Sequence, residues 1–137
     1  MDYFYMSQAD EEAKENPMLV ILNEQSGEIF ARMTGRKGVG DGGECDWLIK
    51  EVSRELKGWG HAGGIGGKII LKSDRERSLV AFRNAVARYH GGVVIPEDPP
   101  KNESQSNGAV EEAGKKVREF TRVLKRQIED RAGMKLS

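Results

Sequence analysis

At 137 residues, with 22 basic against 22 acidic side chains and ordinary apolar content, the chain has the size and balance of one globular domain, not of a disordered polyelectrolyte. Any affinity for an anionic partner must therefore come from local patches, and one active site is expected over residues 1–137. Cys45 is the lone cysteine, which excludes a disulfide framework or a cysteine-rich zinc site and makes a reducing intracellular compartment, cytoplasmic or nuclear, the expectation.

No run approaches the roughly 20 apolar residues of a membrane span, and Met1 to Met6 lacks the basic start and the length of a signal peptide. Asp2 to Met6 reads as a short strand, Gln8 to Asn16 as an acidic loop, and Met18 to Asn23 as an apolar strand after Pro17. Glu24-Gln25-Ser26-Gly27 carries turn chemistry, so Glu28 to Met33 should return as a hairpin partner. After the Gly-rich loop Gly35 to Gly43, Leu48, Val52 and Leu56 recur at helical spacing from a cap at Asp46 to Gly58.

A second loose loop, Gly60 to Gly67, precedes a buried-type strand over Lys68 to Ser73. Arg75 to Tyr89 follows as a helix that presents Leu79, Phe82 and Val86 and stops at Gly91-Gly92. Val93 to Ile95 makes a last strand before Pro96, Pro99 and Pro100. From Gly108, the stripe Val110, Ala113, Val117, Phe120, Leu124 and Ile128 marks a long amphipathic helix. The expected order is βββαβαβα, an α/β fold with a mixed five-stranded sheet, three strands antiparallel and the later ones parallel, flanked by helices.

Lys68-Ile69-Ile70-Leu71-Lys72-Ser73-Asp74 is an apolar strand ending in a carboxylate, and Ser104 to Glu111 is a polar loop entering a helix whose first turn holds another. Together with Asp2 in the opening strand, these residues point to a site of three carboxylates. Such a site repels itself unless cations lie between the groups, and its all-oxygen donor set suits Mg²⁺ or Mn²⁺. Ser73 and Asp74 also read as an ordinary helix cap, Glu111 as a complement to the helix dipole, and Glu112 as an alternative ligand beside it.

The element order and these motifs resemble the ribonuclease H-like fold and, within it, the catalytic core of retroviral and retrotransposon integrases. Leu19 to Ala31 is similar to that family's second strand and Ser-Gly turn. Ser104-Gln105-Ser106-Asn107-Gly108-Ala109-Val110-Glu111 is similar to its flexible loop and helix start. The resemblance implies catalytic and metal-ligating roles for Asp2, Asp74 and Glu111, with Asp74 bridging two ions about 4 Å apart during in-line phosphodiester displacement. It also implies DNA as partner, contacts to it from Asn107, Lys115 and Arg118, and a homodimer formed through the first helix with its Trp47 and Trp59. The zinc-binding and DNA-binding domains that usually flank such cores have no counterpart in the sequence.

Glu111, Lys115 and Arg118 stand at i, i+4 and i+7 and share one helix face, so a carboxylate surface passes into a cationic one; the bland reading is a solvated face. Gly38 to Gly43 matches G-x-G-x-x-G, but the preceding strand is antiparallel in pattern, which argues against a dinucleotide fold. His61 and His90 have no second ligand nearby and are expected to be solvated, and Trp47 and Trp59 are expected to pack. Two further readings stay open. One is an inactive retroelement-derived module for DNA binding or dimerisation, the other a nuclease of the same fold acting on RNA–DNA hybrids.

Overall fold

The computed structural model describes residues 1–6, 8–40, 42–59, 68–90, 93–97 and 108–133. Its elements are β1 (Asp2–Phe4), α1 (Gln8–Ala13), β2 (Met18–Leu22), β3 (Ile29–Met33), α2 (Asp46–Gly58), β4 (Lys68–Lys72), α3 (Arg77–Tyr89), β5 (Val93–Glu97) and α4 (Gly108–Ala132). The expected alternation therefore holds with one insertion. Where an acidic loop was expected, Gln8–Ala13 forms α1, because Gln, Ala and Glu are strong helix formers; Lys14 and Asn16, at φ 56° and 53°, end it.

β1, β2 and β3 form an antiparallel meander with Asp2 opposite Val20 and Val20 opposite Ala31. The β2–β3 turn closes as its sequence requires. Asn23 Oδ1 accepts from the Gln25 and Ser26 amides, and Gly27 sits at φ 79°. β4 and β5 pair in parallel around α3, a βαβ unit.

The expected single five-stranded sheet is corrected to two sheets, one of three strands and one of two. Beyond the shared core that joins Leu71 to Leu19 and Ile21, one hydrogen bond among the described residues links their backbones, from the Met1 nitrogen to the Lys72 carbonyl at 2.7 Å. That bond is made by the residue ahead of β1 and the last residue of β4, so no ladder continues from one sheet to the other.

β2 is buried on both faces, which is why its sequence is a continuous apolar run instead of an alternation. Leu19 and Ile21 join Phe30, Leu48, Val52, Leu56, Leu71, Leu79, Phe82 and Val86 in the main core under α2 and α3. Met18 and Val20 face the other way, onto Val110 and Ala113 of α4. The antiparallel sheet thus lies between two helical layers. Each fully buried Leu or Phe contributes about 1.5–3 kcal/mol, so a handful of these contacts fixes the sandwich.

Several local expectations shift. Cys45, not Asp46, occupies the cap position of α2, and Glu76, not Asp74, that of α3; neither makes a side-chain capping bond. His90 is buried, not solvated, because it closes α3 against α2, where its Nδ1 lies 2.7 Å from Ser53 Oγ. Trp59 packs on the core, whereas Trp47 is 46% exposed. The apolar stripe of α4 is covered in its first half only: Phe120, Val123, Leu124 and Ile128 are exposed. Among the described residues no helix is long and apolar enough to cross a membrane. The loop Gly60–Gly67, the stop at Gly91-Gly92, the loop 98–107 with Asn107, and His61 lie outside the described residues.

Candidate functional site

The apolar strand β4 ends at Lys72, and the chain leaves the sheet through Ser73 and Asp74. The Ser73 amide still donates to the Glu97 carbonyl at 3.3 Å, so the exit is tied to the end of β5. Asp74 then turns the chain on itself, its Oδ1 accepting the Glu76 amide at 2.9 Å. That Asx turn, and not a helix cap, is the local work of Asp74. Behind it lies Arg83 of α3, 4% exposed, whose Nη1 donates to Ser73 Oγ at 2.9 Å and to the Glu97 carbonyl at 3.1 Å. A buried guanidinium thus anchors the residue next to Asp74 to both parallel strands.

Asp2 arrives from the other sheet. Its Oδ1 accepts the Tyr3 amide at 2.8 Å, and the Met1–Lys72 bond holds the start of β1 at the end of β4. As a result Asp2, Asp74 and Glu76 each place a carboxylate oxygen within 4.8 Å of the other two, and all three are partly buried. Two negative charges at that separation repel by roughly 3 kcal/mol at an effective dielectric of 20.

The cluster relieves this repulsion in two ways. Burial first, then the charges of Asp74 and Glu111, push the Asp2 carboxyl up from its ordinary 3.8 to about 6, against the opposing bond from the Tyr3 amide. Glu76 is neutralised directly: Lys37 Nζ lies 2.7 Å from its Oε1, which also accepts from Ser78 Oγ at 3.1 Å. Burial alone would lower the Lys37 ammonium, but the hydrogen bond and charge of Glu76 outweigh it and the net shift is upward.

Lys37 is carried by the first Gly-rich loop, which is tied down. The Gly38 amide donates to the Tyr3 hydroxyl at 2.9 Å, and Gly38 adopts φ 81° with Ser78 3.4 Å from where a Cβ would stand. Burial pushes the Tyr3 phenol up to about 12, so it stays protonated across the neutral range. Lys37 also lies 5.4 Å and 5.3 Å from the ring centroids of Tyr3 and Tyr5.

The structure therefore brings together Asp2 and Asp74, as read from the sequence, and adds Glu76. Glu111 stands in the exposed first turn of α4, outside the 4.8 Å cluster but near enough for its charge to raise Asp2. Lys115 and Glu112 are exposed on α4, while Arg118 is half-buried and leans over the Phe4 ring at 5.9 Å. Glu76 was missed in the sequence, where its place two residues beyond Asp74 was the one signal that could have marked it; its partner Lys37 lies in a distant loop and left no sequence signal.

The donor set fits a hard divalent cation: three carboxylates converge, one of them is held well above its normal range, and oxygen is the only ligand type. Comparison of the chain with protein-family models, with curated proteins and with solved structures gives no match.

Proposed function

We propose that this chain is a metal-dependent polynucleotidyl transferase core of the integrase type, which cuts and joins DNA phosphodiesters at the acidic cluster. The observation that carries the reading is the meeting of Asp2 and Asp74, from the first strand and the end of the fourth, within 4.8 Å. The finer fold belongs to the same proposal. The Met1–Lys72 bond supports it by holding the chain ahead of β1 at the end of β4, although the two strands belong to separate sheets.

Asp2 and Asp74 would hold Mg²⁺ or Mn²⁺, with Glu111 brought in from α4 or Glu76 already at hand. A cation there supplies charge neutralisation at the phosphodiester and lowers the pKa of the attacking hydroxyl. The protein's own share is positioning. Arg83 and Ser73 fix the Asp74 backbone, the Asx turn fixes its carboxylate, and Lys37 restrains Glu76. Lys115 and Arg118 lie along α4 beyond Glu111, and Asn107 precedes that helix; in this reading they contact DNA phosphates without choosing sequence.

A second reading has its own support. Glu111 stands outside the cluster, and the exposed stripe Phe120, Val123, Leu124 and Ile128 is an unpartnered surface, as suits an inactive module that binds DNA or forms a homodimer. Strand cleavage and reversal of strand transfer on branched DNA separate the two. The enzyme reading expects Mn²⁺-dependent products from the wild type that fall at least about 100-fold in Asp74→Asn, in line with a lost metal ligand. Equal product from both proteins, or none from either, sinks it.

A further inference from the structure

Something other than burial holds α1 in place. It interrupts the connection from β1 to β2, and among the described residues it gives no side chain to either core, while Glu11, Glu12 and Ala13 are exposed. A helix of six residues is marginal by itself in water, so its neighbours must keep it formed. The return towards β2 is strained as well, since Lys14 and Asn16 adopt φ 56° and 53°, values that L residues avoid. A direct tie comes from α4, where Arg122 Nη2 donates to the Met6 carbonyl at 3.3 Å, just ahead of α1.

What α1 meets there is cationic. A cleft of about 440 Å³ between β1, α1 and α4 is lined by Lys37, Arg118 and Arg122, and the carboxylate on its walls, that of Glu11, comes from α1. Lys37 is already paired with Glu76, which leaves Arg118 and Arg122 as the charges that Glu11 offsets. The two guanidinium groups stand at i and i+4 on α4 and continue the row begun by Lys115. No ion pair joins Glu11 to either of them among the described residues, and Arg118 Nε is buried there without a hydrogen-bond partner. The carboxylate therefore opposes the cations by its field and does not latch onto them. Asp10, Glu12 and Glu15 add three acidic residues to the same segment, against the single base Lys14. An incoming polyanion must meet this acidic segment before it reaches the far end of the cationic row.

We propose that α1 is an acidic strap that autoinhibits the cationic face of α4: it covers Arg118 and Arg122 in the free protein and is displaced when a phosphodiester backbone binds there. The inference rests on the proposed function, whose phosphate contacts along α4 it places under control.

The test separates release of the strap from a general change of charge. Anisotropy with a labelled blunt duplex, in EDTA and low salt, compares full-length proteins. Glu11→Gln with Glu12→Gln keeps helix propensity while removing two charges, and should bind at least about fivefold tighter than the wild type, the size expected for two charges near the cations. Glu28→Gln with Glu55→Gln, which removes two charges elsewhere, should change affinity by less than about twofold. A variant with residues 8–15 replaced by Gly-Ser-Gly should gain at least as much as the strap pair; Phe4 already sits opposite Met18, so a shorter connection closes the hairpin. The gains should vanish in about 0.5 M salt, where screening removes the field of Glu11. Hydrogen exchange on the wild type supplies the sign that charge alone would not. Saturation with duplex should speed exchange of the amides of residues 8–13 at least about fivefold as α1 is released and frays, while those of residues 114–122 slow. A strap pair no tighter than its control, no duplex binding by either protein, or α1 amides that slow on binding each overturns the proposal. Tighter binding and faster exchange without Mn²⁺-dependent cleavage of branched DNA would leave the strap assigned and the enzyme reading lost; cleavage with neither effect would do the reverse.

Discussion

Asp2 holds its proton more tightly in the folded protein than in the unfolded chain, because burial and the charges of Asp74 and Glu111 disfavour the carboxylate. The sign follows from linkage. Stability contributed by that proton is complete below about pH 4 and is lost as pH rises through about 6, where the folded carboxyl finally ionises. A shift of that size corresponds to at most about 3 kcal/mol, and the partly exposed position of Asp2 reduces it to about 1–2 kcal/mol. Urea unfolding in EDTA should therefore show stability declining between pH 4 and pH 6.5, and Asp2→Asn should flatten that decline. An unchanged slope in the variant would place the titrating group elsewhere. Asp2 and Asp74 were legible as candidates because each sits at a strand boundary, where sequence marks the chain's exit from an apolar run. Glu76 and Lys37 were not, because their 2.7 Å pairing joins a loop and a helix start that only tertiary structure brings together.

Among the elements, α4 is set against the sheet by close approach. Val110 and Ala113 face Met18 and Val20, and the Phe4 ring points straight at Gly114, where an added Cβ would run into it. Gly114→Ala gains about 0.5–1 kcal/mol of helix propensity but overpacks this contact at about 1–3 kcal/mol. Net destabilisation of about 1 kcal/mol is expected by thermal unfolding, and combining the change with Phe4→Leu should remove it. A stabilised single variant would mean that the ring moves aside freely, into the neighbouring cleft. The helical period of α4 was plain in the sequence, since Val110, Ala113, Val117, Phe120, Leu124 and Ile128 recur at threes and fours. Periodicity marks which face is apolar, not how far a neighbour covers it, and here cover fails from Phe120 onward. The acidic run that becomes α1 shows the opposite limit: Gln, Ala and Glu favour helix, but with no apolar face to bury, the segment read as a loop.

At the scale of the whole molecule, the antiparallel pairing of β2 with β3 was legible from the turn residues Glu24 to Gly27, and the parallel pairing of β4 with β5 from the helix between them. The split into two sheets was not, because it depends on a ladder that stops after one bond between Met1 and Lys72. That same bond matters most for the site, since it carries Asp2 on one sheet to Asp74 on the other. The account stands or falls on whether these two carboxylates share a cation. Isothermal titration with Mn²⁺, paired with thermal unfolding, tests this on the wild type, Asp2→Asn and Asp74→Asn. Saturable binding by the wild type should raise its stability by about 3 kcal/mol at a hundredfold excess over Kd, and each variant should lose both the heat and the stabilisation. A wild type that does not bind Mn²⁺, or an Asp74→Asn variant that binds it equally well, would contradict the account.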